Sequence, residues 1–317
     1  MSTAVVFAYH NVGVRCLSVL LAHGVKVPLV VTHTDNPAEN IWFESVAALA
    51  REHGIETLTP ADPNTPALIE KIAALKPDFL FSFYYRHMLS PALLALASRG
   101  AWNMHGSLLP KYRGRVPVNW AIIEGERTTG ATLHEMVEKP DAGGILAQQA
   151  VPILPNDTAL QVFNKVTVAA EIALDSILPA LQAGHAQAKA QDLSQGHYFG
   201  GRKPEDGRID WSQPATRIHN LIRALAPPYP SAFCDINGKR LVLFSSRLAS
   251  LHATPPKPTL FIHQGAIYAH CGGGGLLKIL AAEVDGTPLH AANFATLFGS
   301  ESVSLAHDHS LTQAASS

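Results

Sequence analysis

The strongest constraint on the fold is an alternation through the first third of the chain. Short, continuous apolar runs at 4–8 (AVVFA), 27–31 (VPLVV) and 79–83 (FLFSF) are separated by stretches of helical character near 14–23, 42–53 and 66–75. Apolar runs without a polar alternate face belong to strands buried on both sides. Strands that alternate with helices join through crossovers and build a parallel sheet. The expectation is therefore an α/β, Rossmann-like parallel-sheet domain. Ligands of such sheets bind beyond the carboxyl ends of the strands.

The pattern continues with a strand into 101–104, a loop rich in Pro, Arg and Gly, a helix near 118–124, and strands near 132–137 and 145–153. Asn156 and Asp157 are good helix N-caps, and Phe163, Val166, Ala170, Leu174, Ile177 and Leu181 then recur every three or four residues. That spacing predicts a long amphipathic helix closing the first domain, residues 1–185. Residues 186–206 read as a linker. A helix near 215–225 and five strand-like runs follow, with Asn237-Gly238 as a hairpin turn. These predict a small, β-rich, barrel-like domain over 207–305. Residues 306–317 are expected to be a flexible tail.

Composition narrows the function. Of 317 residues 47% are apolar and 15% charged, and 24 basic residues against 25 acidic ones give a net charge of −1. A protein that grips a long polyanion carries a basic surplus, so no nucleic-acid partner is expected. Cys16, Cys234 and Cys271 are widely spaced, which favours reduced thiols over disulfides or a zinc site. His307, Asp308 and His309 share no helix or strand spacing with further ligands, so no metal is expected. The N-terminus lacks a basic, apolar leader pattern, and no run reaches the roughly 20 apolar residues of a membrane span. The expectation is a cytoplasmic protein without a membrane partner.

Two segments carry chemistry. In the first, Asn103-Met104-His105-Gly106-Ser107-Leu108-Leu109-Pro110-Lys111-Tyr112-Arg113-Gly114, an Asn and a His two apart on a strand end point the same way. The amide can donate to a developing oxyanion, and the imidazole can carry a proton near neutral pH. The second, Glu138-Lys139-Pro140-Asp141-Ala142-Gly143-Gly144, places an Asp in a glycine-containing turn. Taken singly, each is more often structural: a hydrogen-bonded Asn–His pair, and a turn-forming Asp. The glycines at 272–275 precede another strand and read as a hairpin turn, and the opening strand lacks GxGxxG, which counts against a dinucleotide site.

The ordered run NMHGSLLPKYRG with the later Asp-Ala-Gly resembles the folate-dependent formyltransferases. Within them, FAYHNVG, THTDNP, FSFYYRHML, YFGGRKPEDGRIDW and LIRALAPPYPSAF are most similar to UDP-4-amino-4-deoxy-L-arabinose formyltransferases, to about residue 300. The resemblance implies formyl transfer from 10-formyltetrahydrofolate to the 4-amine of a nucleotide-linked sugar, the chemistry of lipid A modification and polymyxin resistance. Many relatives are fused to a dehydrogenase domain; here a separate dehydrogenase and aminotransferase would supply the substrate. It implies an oxyanion role for Asn103, proton transfer by His105, and Asp141 hydrogen-bonded to His105, where a carboxylate favours the imidazolium. Folate contacts are implied at His87, Met88, Leu89, Arg115, Val137, Glu138, Lys139 and Pro140. Contacts with the sugar nucleotide are implied at Arg202, Lys203, Arg223 and Tyr229. Arg113 is balanced between a functional and a structural role. Alternatives are another nucleotide-linked amino sugar, methionyl-tRNA as acceptor, and hydrolysis of formyltetrahydrofolate. The segment THTDNPAENIWFESV, acidic and free of Lys and Arg, disfavours tRNA.

Overall fold

The computed structural model describes residues 2–251 and 257–305. The tail expected at 306–317 lies outside the described residues. The chain divides into two compact units, Met1–Ala121 with Arg127–Ile153 and Gln161–Gly201, and Ile122–Glu126 with Leu154–Leu160 and Arg202–Ser317.

In the first unit β1 (Thr3–Ala8), α1 (His10–Ala22), β2 (Lys26–Val31), α2 (Val46–Glu52), β3 (Glu56–Leu58), α3 (Pro66–Leu75), β4 (Phe79–Phe83), α4 (Pro91–Leu94) and β5 (Ala101–His105) alternate as the apolar runs require. Then come β6 (Arg113–Gly114), α5 (Pro117–Ile123), β7 (Thr128–Glu135), β8 (Ile145–Pro152), α6 (Ala159–Ala183) and β9 (Tyr198–Phe199). The main sheet has the order β3-β2-β1-β4-β5-β7-β8. Its first five strands are parallel, as expected, whereas β5–β7 and β7–β8 are antiparallel. The direction changes because the connection through β6 and the short α5 brings β7 back alongside β5 running the opposite way.

One face of this sheet buries Val5, Phe7, Leu29, Val31 and Leu80 with Leu68 and Ile72 of α3 and Leu93 of α4. Leu17 and Leu20 of α1 and Phe163, Val166 and Leu174 of α6 are also buried. The pairs Arg15–Glu171 and His23–Asp175 join α1 to α6. By length and composition α6 alone among the described helices could cross a membrane, with a mean hydropathy of 1.3 over its most apolar window. Its alternating buried residues and the charged Lys165, Glu171 and Asp175 fit a core helix.

The segment expected as a linker divides at residue 201. Residues up to Gly201 belong to the first unit. The reason is backbone satisfaction: Ile145 and Lys189 exchange backbone hydrogen bonds, and β9 pairs in parallel with β6. The Arg113 guanidinium donates to the carbonyls of Leu193 and Gly196 at 3.2 and 2.8 Å. Arg113 is thus a buried structural residue.

The second unit places α7 (Ala215–Ala224) with β10 (Ala232–Ile236), β11 (Lys239–Ala249), β12 (Thr259–His263), β13 (Ala266–His270), β14 (Leu276–Val284), β15 (Thr287–Pro288), α8 (Phe294–Phe298) and β16 (Ser302–Ser304). Its antiparallel sheet runs β10-β11-β14-β13-β12-β16. Asn237 and Gly238 both have positive φ, as the tight β10–β11 hairpin requires. Ile218 and Ile222 of α7 share a core with Leu241, Leu260, Leu277 and Phe294.

Candidate active site

Strand alternation puts Ala101, Asn103 and His105 on one face of β5. The antiparallel register of β5 with β7 sets Asn103 opposite His134 and His105 opposite Thr132. Asn103 Nδ2 lies 3.0 Å from His134 Nε2. The other nitrogen of His134, Nδ1, lies 2.8 Å from the Glu135 carbonyl and donates to it, so Nε2 is the nitrogen turned to Asn103.

His105 is buried, with Nε2 2.8 Å from the Tyr112 carbonyl and Nδ1 3.5 Å from Asp141 Oδ1. Asp141 Oδ1 is also 3.5 Å from His134 Nε2. Asp141 Oδ2 accepts the Gly114 backbone N–H at 2.7 Å. One carboxylate therefore serves two imidazoles and a loop amide. Burial by itself would push this carboxyl up. The His105 and His134 rings and the Gly114 N–H outweigh burial and hold it far below the ordinary carboxylate range. Asp141 is therefore an anion throughout the working pH range.

The loop between β5 and β6 is held from below. Thr132 Oγ1 donates to the Ser107 carbonyl at 2.6 Å and accepts the Leu109 N–H at 3.2 Å. Gln148 Nε2 donates to the Leu109 carbonyl at 2.8 Å, and Ser107 Oγ donates to the Lys111 carbonyl at 2.6 Å. A Cβ on Gly106 would sit 1.9 Å from the Tyr84 hydroxyl, so only glycine fits there. Asp141 itself has φ +54, and Gln191 Nε2 holds its carbonyl at 3.1 Å. These contacts fix the Tyr112 carbonyl and the Gly114 amide where the two catalytic candidates need them.

The expected trio thus comes together, and the structure adds His134, which the sequence reading passed over. Its signal was available: it precedes Asp141 on the strand expected at 132–137. Only the register with β5, however, reveals which Asn it meets.

Of the segments expected to hold folate, the one ending at Leu89 and the one that follows Met136 are brought near each other. Leu89 is buried in the same apolar cluster against which Met136 packs. Met88 and Val137, which adjoin Leu89 and Met136 in sequence, expose 58% and 38% of their surface as apolar side chains. His87 is exposed, its ring 5.0 Å from His33. His33 Nε2 accepts the Arg86 backbone N–H at 3.0 Å, and its ring stacks on Tyr85 at 4.2 Å. Glu138, Lys139 and Arg115 are exposed, and Pro140 is half-buried.

The remaining candidates lie in the second unit. Arg202 Nη2 donates to the Asp206 carbonyl at 2.6 Å, and the Lys203 amide donates to Asp206 Oδ2, leaving the Lys203 side chain exposed. Arg223 is buried, its guanidinium given to Asn220 Oδ1 at 2.9 Å and to the Asp157 carbonyl at 3.0 Å. Those bonds account for Arg223 as a structural clasp within its own unit. Tyr229 is half-buried, and burial pushes its phenol up to about 12. Among the described residues no group of His, Cys, Asp and Glu is arranged to hold a metal ion.

Comparison with known proteins places these residues in context. The family model for formyl transferase matches residues 16–178, and the model for the formyl transferase C-terminal domain matches 202–299. An N-formyltransferase from Helicobacter canadensis, solved with folinic acid and dTDP-3-aminofucose, is 20% identical, with a TM-score of 0.69 over 88% of this chain and 99% of that one. WlaRD, a sugar 3N-formyl transferase solved with dTDP and 5-N-formyl-THF, is 20% identical, with a TM-score of 0.68 over 88% of this chain and 97% of its own. HypX from Aquifex aeolicus, solved with tetrahydrofolic acid, is 19% identical, with a TM-score of 0.61 over 93% of this chain and 47% of that one. At these identities the likeness establishes a shared fold.

Proposed function

Because the chain belongs to the formyl transferase family, we propose that it moves a formyl group from 10-formyltetrahydrofolate to the 4-amine of a nucleotide-linked amino sugar, UDP-4-amino-4-deoxy-L-arabinose in the first place. The observation that carries this reading is the single Asp141 carboxylate set between His105 and His134, with Asn103 bonded to His134.

The folate supplies an activated formyl carbon, and the chain supplies electrostatics and proton handling. Asn103 uses one amide hydrogen on His134 and keeps the second for the oxygen on which negative charge grows. An oxyanion donor of this kind is typically worth about 2.7–4 kcal/mol in the barrier. His105 is the proton-transfer group. Its Nε2–H donates to the Tyr112 carbonyl, which leaves Nδ1 to take up the proton of the attacking amine, and the imidazolium so formed faces Asp141. Positioned proton transfer contributes roughly 10²–10⁴-fold. Asp141, kept anionic, stabilises whichever imidazole is charged. His87, Met88, Leu89, Arg115 and residues 137–140 are proposed as folate contacts; Leu89 would act through its backbone, its side chain being buried. Arg202 and Lys203 are proposed for the diphosphate. Buried free cysteines accord with a cytoplasmic reaction.

A second acceptor class has a specific observation behind it: the Helicobacter canadensis relative was solved with a dTDP-linked 3-amino sugar. The test is an assay of tetrahydrofolate release and acceptor mass with UDP-4-amino-4-deoxy-L-arabinose, a dTDP-amino sugar, Met-tRNA and no acceptor. Fastest formylation of the UDP-arabinose sugar is expected. Transfer only to another acceptor would replace the acceptor assignment, and formate release in every tube would make the protein a hydrolase.

A further inference from the structure

Tyr198 is a large aromatic residue with 58% of its surface exposed, yet it stands on one of the most firmly braced segments of the first unit. Its neighbour Phe199 is wedged between Tyr112 and Trp120, with ring centroids 5.1 Å away on either side. The Trp120 indole N–H donates to the Gly200 carbonyl at 3.1 Å, and Arg113 holds Leu193 and Gly196 from beneath. Strand pairing sets Tyr198 beside Arg113 and Phe199 beside Gly114. A Cβ on Gly114 would lie 3.0 Å from the Tyr198 ring, so the ring covers the glycine whose amide holds Asp141.

Just after β6, Arg115 gives its backbone N–H to the Phe199 carbonyl at 3.0 Å and exposes its side chain. Gly201 lies beside that side chain, where a Cβ would make ordinary van der Waals contact with Arg115, 3.5 Å from Cδ and 3.7 Å from Nε and Nη1. An exposed aromatic ring on a strand whose neighbouring segment carries an exposed cation suits a planar ring that bears an anionic tail. The contacts around Phe199 and Gly200 hold the backbone that presents the ring, which limits the backbone entropy lost on stacking.

We propose that Tyr198 is a stacking platform for the planar ring of one of the two substrates, with Arg115 meeting that substrate's anionic tail. This rests on the formyl-transfer reading. Two rings share the required chemistry: the p-aminobenzoyl ring of the folate, with its glutamate carboxylates, and the nucleobase of the acceptor, with its diphosphate. Tyr198 is then a specificity-determining residue, and it takes no part in proton transfer.

The experiment compares the parent, Tyr198→Ala and Tyr198→Phe, with KM and kcat determined separately for 10-formyltetrahydrofolate and for the acceptor. Aromatic stacking on one ring is worth about 1–3 kcal/mol, so Tyr198→Ala should raise one KM by about tenfold or more with kcat little changed. Tyr198→Phe, which keeps the ring, should stay within about twofold of the parent. The substrate whose KM moves identifies the ring. Unchanged KM for both substrates, or a fall in kcat alone, overturns the proposal. Should the parent show no transfer, the functional reading fails instead. Stacking is then judged by titrating p-aminobenzoylglutamate, UMP and dTMP into parent and Tyr198→Ala: weaker binding of one in the variant upholds it, and equal binding of all three ends it.

Discussion

Asn103 and His134 are register partners across β5 and β7, joined at 3.0 Å between Nδ2 and Nε2. The amide proposed to stabilise the oxyanion is therefore aimed by a histidine that also lies 3.5 Å from Asp141. Orientation of Asn103 and the charge on Asp141 become linked through one ring. Asn103→Ala should lower kcat by at least about a hundredfold, the cost of an oxyanion donor. His134→Ala should cost less, and the double variant should be little worse than Asn103→Ala. Additive losses, measured as tetrahydrofolate release, would show that the two act independently.

His105→Ala should also reduce kcat by about a hundredfold or more while folate binding survives. Near-normal turnover would remove it from proton transfer.

Asp141→Asn keeps the shape of the side chain and removes the anion shared by both imidazoles. Turnover should fall to a similar degree and the pH–rate profile should move, because the imidazoles lose their counter-charge. Asp141 is held below the ordinary carboxylate range. The parent's activity therefore should not fall through protonation of Asp141 at mildly acidic pH, and the stability it contributes is present above about pH 4 and lost only in stronger acid. An identical pH–rate profile in Asp141→Asn would refute the coupling.

Gly114 has φ +102, and a Cβ on it would come within 2.2 Å of the Phe199 carbonyl. Gly114→Ala should cost at least about 1–3 kcal/mol, readable as a lowered denaturation midpoint. The same change should reduce turnover, since the Gly114 amide anchors Asp141. A variant as stable and active as the parent would mean the β6–β9 pair is unimportant to the site.

His33 is pushed down to about 4 by burial, with the neighbouring His87 and Arg86 charges adding to it. A folded value below the unfolded one of about 6.5 means that stability is full above pH 6.5 and declines as pH falls towards 4. His33→Phe abolishes that proton uptake by the unfolded chain. The melting temperature of the parent relative to this variant should therefore fall between about pH 7 and 4.5. A pH-independent difference would contradict a neutral, half-buried His33.

Much of this protein could be read from its residues in order. The runs at 4–8, 27–31 and 79–83 became β1, β2 and β4 because a strand buried on both faces needs a continuous apolar code, which is local. Asn103 and His105 were legible for the same reason, since two residues apart on a strand always share a face. The short strands β3, β6 and β9 carried no such code, being three residues or fewer and held mainly by partners distant in sequence. The role of 186–201 was hidden likewise, because its composition is that of a linker and only Arg113, Lys189 and Phe199 reveal where its backbone bonds go. His134 and Tyr198 mark the same boundary. Periodicity places His134 on its strand, Tyr198 lies in a segment that reads as a linker, and what each meets depends on register: β7 against β5, and β9 against β6. Register is a pairing between segments far apart in the chain. The sequence by itself determined the main elements, the candidate residues Asn103, His105 and Asp141 and the family, and tertiary structure alone decided which histidine, carbonyl and aromatic ring surround them.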